Sequence, residues 1–157
     1  MCIETEAVYY DFAAAFFWKQ GRELGQSVFK FIYDRFDGHT WYIQAILNRL
    51  YGYKVAIDVD TVEIAIREIV EESTYAYENL LVAYPAGNIR LLKAIALEGC
   101  VKEITAGEFI ARHHLKAASS VNSAIKKLLN NELVYKATNG YIVYDRFLNE
   151  WLRRQAF

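Results

Sequence analysis

With 157 residues, 54% of them hydrophobic and 24% charged, the chain can bury one substantial core or two small ones, and it lacks the polar, highly charged composition of a disordered segment. No apolar run approaches the roughly 18 residues of a membrane span, and the start Met1-Cys2-Ile3-Glu4-Thr5-Glu6 has no signal-peptide pattern, which predicts a cytoplasmic protein with no membrane partner. The net charge of -1 hides an asymmetry: residues 1–82 carry 7 Lys+Arg against 13 Asp+Glu, net -6, and residues 83–157 carry 11 against 6, net +5, which predicts two modules with different partners.

The first half reads as four helices. The first opens after Thr5, an N-cap candidate, and sets Val8, Phe12, Ala15 and Phe16 on one face before Gly21 ends it. The second runs from about Gln26 to Phe36 with Val28, Phe29, Ile32 and Phe36 on its apolar face, and Gly38 supplies a left-handed stop. Thr40 is the expected cap of a third helix bearing Trp41, Ile43, Ile46, Leu47 and Leu50. Asp60 and Glu63 have capping-box spacing and predict one long helix through Val62, Ile66, Ile69 and Val70 toward Leu81. Tyr84-Pro85-Ala86-Gly87 then breaks the helical pattern where the charge changes sign, so the domain boundary is expected after Val82.

The second half changes rhythm. A helix from about Asn88 to Glu98 carries Ile89, Leu92, Ile95 and Ala96 and stops at Gly99. Thr105 and Glu108 predict a capping box for a short helix with Phe109 and Ile110, and Ser119 and Ser120 are expected to cap a third helix carrying Val121, Ala124, Ile125, Leu128 and Leu129. The period then falls to two in Leu133-Val134-Tyr135-Lys136 and Tyr141-Ile142-Val143-Tyr144, with Asn139-Gly140 as the turn signal between them. A last amphipathic segment holds Phe147, Leu148, Trp151 and Leu152. Three helices, a hairpin and a closing helix match a winged helix at 83–157, whose third helix is the candidate reader and whose hairpin is the wing. The expected fold class is therefore mainly α, a helical bundle at 1–82 followed by that winged helix.

Two stretches, Phe36-Asp37-Gly38-His39-Thr40-Trp41-Tyr42-Ile43-Gln44 and Leu115 to Lys126, resemble the C-terminal part of the archaeal-type ATPases, P-loop proteins of the AAA and STAND group also found in bacteria. Tyr141 to Phe147 with Trp151-Leu152 looks like the ending of the same family. The resemblance implies a lid domain followed by a winged helix, with an ATP- and magnesium-binding P-loop domain on the same polypeptide as partner. No G-x-x-x-x-G-K-[ST] occurs in these 157 residues, so the expectation is a regulatory or binding region with no catalytic residues and no cofactor of its own. The family's lids place a glycine-x-proline turn near the nucleotide. Gly38, His39, Thr40 and Trp41 stand at that place without the proline, and a helix starting at Thr40 would offer N–H groups to phosphate. The alternative is a capped helix whose Trp41 fills the core.

Off the apolar stripe of the candidate reader lie Ser120, Asn122, Ser123, Lys126 and Lys127, with Lys136 on the wing. Ser and Asn can bond phosphates or base edges, and Lys neutralises phosphates, so these are the candidate DNA contacts. Arginine, the commonest specific base reader, is absent from that segment. The competing expectation is a winged helix used for protein or intramolecular docking, to which exposed tyrosines among Tyr75, Tyr77 and Tyr84 would contribute. Glu68, Glu71, Glu72 and Glu78 read as a solvated face. Cys2 and Cys100 share no metal-ligand spacing, and His113-His114 has no partner at ligand spacing and reads as helix-end packing, so no metal site is expected.

Overall fold

A computed structural model describes residues 5–155; Cys2 lies outside them. The helices are α1 (Glu6–Trp18), α2 (Gln26–Arg35), α3 (Thr40–Gly52), α4 (Val59–Glu72), α5 (Thr74–Val82), α6 (Ala86–Glu98), α7 (Gly107–Arg112), α8 (Ala118–Asn130) and α9 (Arg146–Gln155), with strands β1 (Val134–Ala137) and β2 (Gly140–Val143) between the last two. The chain divides into two compact units, residues 1–69 and 70–157. None of the described helices is long and apolar enough to cross a membrane.

In the first unit α1 packs on α2 and α2 on α3. Its core differs from the expected one at α1. Tyr9, Ala13 and Phe17 are buried, whereas Val8, Phe12 and Phe16 are exposed by 54%, 70% and 47%. The helix is apolar nearly all round, so two adjacent stripes at i, i+4, i+8 are equally periodic, and packing selects the one a single residue further along. Phe29, Ile32, Phe36, Ile43, Ile46 and Leu50 are buried as their spacing requires. Trp41 is not: it is 66% exposed, and the core alternative for it is overturned. The Arg22 guanidinium ties the unit together by donating to the carbonyls of Leu50, Tyr51 and Val55 at 3.0–3.1 Å, satisfying the open C-terminal end of α3. Glu68 is half-buried and not part of a solvated face, since it accepts from the Tyr53 hydroxyl and lies 3.5 Å from Arg49.

The expected helix ends hold at some places and need correction at others. Thr5 stands at the N-cap of α1 and Thr40 is the first residue of α3, with no side-chain capping bond at either end. The box that opens α4 is Asp58 with Thr61: the Asp58 carboxylate accepts from the Thr61 amide at 2.8 Å and the Thr61 hydroxyl from the Asp58 amide at 2.9 Å. This replaces Asp60–Glu63, and the Thr61 bonds hold the Asp58 carboxyl below its usual pKa. The long helix expected toward Leu81 is broken at Ser73 into α4 and α5. Neither Thr105 nor Ser119 and Ser120 cap a helix, because α7 follows Ala106 and α8 follows Ala117. α5 ends at Val82, directly ahead of Tyr84-Pro85 as expected, but Ala86 and Gly87 already form the first turn of α6, and the Pro85 carbonyl accepts from Asn88 and Ile89 at 2.9 and 3.2 Å.

The second unit has the winged-helix order. α6 packs on α8, α9 and β2, and α8 packs on β1. Leu92, Ile95, Leu128, Val143 and Leu152 are wholly buried, each worth about 1.5–3 kcal/mol against exposure. β1 and β2 pair antiparallel from Val134↔Val143 to Ala137↔Gly140, so the two-residue loop is Thr138-Asn139 and Gly140 already belongs to β2. The turn therefore falls one residue earlier than the expected Asn139-Gly140. Val101 adds an isolated bridge on the other edge of β2, exchanging backbone bonds with Tyr141 at 3.0 and 2.8 Å. Gly140 is required there: its φ is +142°, and a Cβ would run into the Val101 carbonyl.

The division at 69/70 falls earlier than the boundary expected after Val82, because α5 belongs with the winged helix. Thr74 Oγ1 accepts from the Trp151 indole at 3.1 Å, and the Tyr77 ring lies 5.6 Å from that of Trp151. With this division the charges are 7 Lys+Arg against 10 Asp+Glu, net -3, and 11 against 9, net +2. The asymmetry between modules is thus about half of what the expected boundary implied.

Candidate nucleic-acid interface

α8 is amphipathic for a simple reason: Val121, Ala124, Ile125 and Leu128 recur at helical spacing and are buried. Everything between them faces outward. Ser120, Asn122, Ser123, Lys126 and Lys127 are all exposed, as is Lys136 on β1. From Leu115 to Asn131 there are three lysines and no carboxylate. Among the described residues no ion pair engages Lys116, Lys126, Lys127 or Lys136, so their charge is available to an outside anion. Lys127 Nζ lies 5.4 Å from the Tyr84 ring centroid and Lys136 Nζ 5.4 Å from that of Tyr141, contacts that restrain the long side chains without neutralising them. The Ser123 hydroxyl donates back to the Ser119 carbonyl at 3.1 Å, leaving its oxygen able to accept.

Two acidic groups of this unit are tied to cations. Glu98 accepts from Arg112 at 2.7 Å and lies 2.8 Å from His113 Nε2; the hydrogen bond of His113, and then that of Arg112, hold its carboxyl below the usual carboxylate range. His113 is packed 4.8 Å from the Phe109 ring at the end of α7, the helix-end role expected of it. Glu150 is buried and pairs with Arg154 at 3.0 Å. Among the described residues no group of three or more His, Cys, Asp or Glu is placed to hold a metal ion. Cys100 is a free, exposed thiol.

In the first unit Gly38 and His39 lead into α3, whose first two residues are Thr40 and Trp41. Gly38 has φ +69° and lies so close to Tyr33 that a Cβ would meet its ring at 2.9 Å. His39 precedes α3, and its ring and that of Trp41 both meet Tyr42 edge-on, 6.1 and 4.9 Å away. His39, Thr40 and Trp41 are exposed. The stretch therefore presents an aromatic surface with an imidazole, and no cationic side chain belongs to it.

Sequence reasoning did not single out Lys116, Arg90 or Asn88, which frame a cleft beside α8. Nothing in the pattern marks them, since a buried asparagine on an amphipathic helix is visible only once the helix is packed. No curated protein and no solved structure matches the chain. A family model matches residues 75–154, which takes in most of α5 and all of α6 to β2 and ends within α9. The chain thus belongs to the family described as "Probable winged helix domain".

Proposed function

We propose that the winged-helix unit binds duplex DNA through the outward face of α8 and the wing, mainly by phosphate contacts, and that the chain acts as a binding and regulatory piece without catalysis of its own. The observation that carries this is the outward face of α8, a helix with no Asp or Glu that holds Lys126 and Lys127, together with Lys136 on the wing, all three exposed and engaged in no ion pair among the described residues. Ser120, Asn122 and Ser123 add neutral donors and acceptors suited to phosphate or base edges. With no arginine on α8, contacts that position the protein outweigh contacts that specify sequence.

Replacing Lys126, Lys127 and Lys136 by Ala should lower the slope of log affinity against log salt by up to about three units, since each phosphate contact contributes roughly 0.9. The loss should be similar for two unrelated duplexes in fluorescence anisotropy. An unchanged slope, or no binding at low salt by the unaltered protein, would sink this reading.

A second reading is favoured by the apolar surface of α5, where Tyr75 and Val82 are 78% and 83% exposed: the winged helix docks onto a protein or onto another part of the same polypeptide. Such an interface changes little with salt. In either case the resemblance to AAA/STAND-like ATPases suggests that the first unit serves as a lid, with Gly38, His39, Thr40 and Trp41 facing the nucleotide of a P-loop domain on the same polypeptide that holds ATP and magnesium. The present chain should then show no ATP binding near 1 μM, about -8 kcal/mol, in a calorimetric titration.

A further inference from the structure

α1 is apolar nearly all round, yet only one side of it is covered. Tyr9, Ala13 and Phe17 are buried within the first unit, whereas Val8, Phe12 and Phe16 are exposed and Trp18 is 74% exposed. A helix that is apolar all round is normally buried all round. At about 100° per residue, Ala15 lies near the middle of the exposed arc, with Asp11 and Trp18 on one side of it and Val8 and Phe12 on the other.

With three aromatic rings of about 200 Å² each at those exposures, and Val8 beside them, the arc presents on the order of 500 Å² of apolar surface, as much as the largest patch on most monomers. Two such arcs face to face would bury about 1,000 Å² together, the least that a specific interface needs. Beside the arc, α1 and α3 leave a groove of about 310 Å³ walled by Phe12, Phe16, Leu47 and Tyr51 and lined also by the exposed Gln44 and Asn48. An apolar centre with polar groups at its edge is the anatomy of an interface.

The charges of the arc select its occupant. Asp11 stands four residues before Ala15 and Lys19, the C-cap residue, four after it. Neither takes part in an ion pair within the chain among the described residues. We propose that α1 packs antiparallel on α1 of a second copy, about a two-fold axis passing at Ala15. In that register Asp11 of each copy comes level with Lys19 of the other, and Phe12 with Trp18. A two-fold interface has to be complementary to itself, and opposite charges equally spaced about a midpoint meet that condition. Parallel pairing would set like charges against each other. A lipid surface also takes exposed aromatic rings, but Asp11 lies within the arc and the first unit carries net -3, which anionic lipid repels. The pairing belongs to the first unit and does not depend on DNA binding by the second.

The test is sedimentation equilibrium of the full chain over a range of concentrations. A reversible monomer–dimer equilibrium is expected, and Phe12→Gln, at an exposed position, should weaken it at least tenfold while the helical circular dichroism is kept. Asp11→Lys and Lys19→Asp should each weaken the dimer severalfold, because each sets like charges against each other at two places. The double variant should recover most of that loss. Such recovery requires the two side chains to meet across copies, and it decides the matter even where Phe12→Gln misfolds. A chain that stays monomeric up to millimolar concentration, a dimer indifferent to a folded Phe12→Gln variant, or a double variant no better than the single ones would overturn the proposal. So would Phe12-dependent binding to vesicles of zwitterionic or anionic lipid by a chain that does not dimerise.

Discussion

The two units bury their cores by different means. The first relies on aromatic contacts and on one cation: Tyr9 and Tyr10 meet Phe29 at 5.4 and 5.6 Å, Phe17 meets Tyr51 at 5.7 Å, and Arg22, between α1 and α2, gathers the carbonyls of Leu50, Tyr51 and Val55. The second has a largely aliphatic core, with Phe109, Phe147 and Trp151 among its buried side chains, closed by the hairpin and by the single bridge that Val101 makes to it. Rings and a guanidinium tolerate a helix turned by one residue, because large side chains on neighbouring stripes can reach the same cavity. A ladder does not, because a one-residue slip sends every strand side chain to the opposite face. The winged-helix unit should accordingly be the more sharply specified of the two, and its exposed lysines the more firmly placed.

The most direct way to break this contrast is at Gly140. Gly140→Val puts a branched side chain where a Cβ already collides with the Val101 carbonyl and where φ is +142°. A loss of about 3 kcal/mol or more in the second unit, with the first unaffected, is expected in denaturant unfolding followed by unit-specific probes. A comparison of fragments 70–157 and 83–157 comes next. The longer should melt cooperatively, and the shorter should be weaker by about 2 kcal/mol through loss of the Thr74–Trp151 bond and the Tyr77 ring contact. Equal stability would return the boundary to Val82.

Arg22→Met probes the other side of the contrast. Losing charge-assisted bonds to partly buried carbonyls should cost the first unit about 2 kcal/mol and leave the unfolding of the second unchanged; equal effects on both would show that they unfold as one. The smallest expected effect concerns pH. The Glu98 carboxyl is held low in the folded protein by His113 and Arg112, so its contribution is present above the unfolded value near 4.5 and is lost as pH falls through the lower folded value. Glu98→Gln should flatten that acid limb of the second unit slightly, and an unaltered limb would assign it to other carboxylates.

Much of this was legible in the residues. The hairpin strands, Gly38 and Gly99 as left-handed stops, and the buried stripes of α2, α8 and α9 all follow from periods and glycines. What was not legible has identifiable causes. In α1, Val8-Phe12-Phe16 and Tyr9-Ala13-Phe17 are rival stripes that only packing separates. Capping oxygens at Ser119, Ser120 and Thr105 sit among several candidates, and the backbone starts the helices at neighbouring alanine and glycine positions instead. The outward residues of α8 could be named because a strong apolar stripe leaves the remainder to solvent, whereas the Asn88 cleft joins α6 to α8 and no local pattern encodes such a junction.

If the proposed interface does bind DNA, the lengths of α8 and β1 bound how much duplex one copy covers. α8 has 13 residues and β1 has 4, about 20 Å of helix and roughly 13 Å of strand. One B-DNA turn is about 34 Å, so a single copy on the proposed interface would leave a footprint of less than one turn. Genome-scale discrimination from so short a stretch would require a second half-site, occupied by another copy or by a companion protein, and the spacing between half-sites, more than any base contact by α8, would then encode the address.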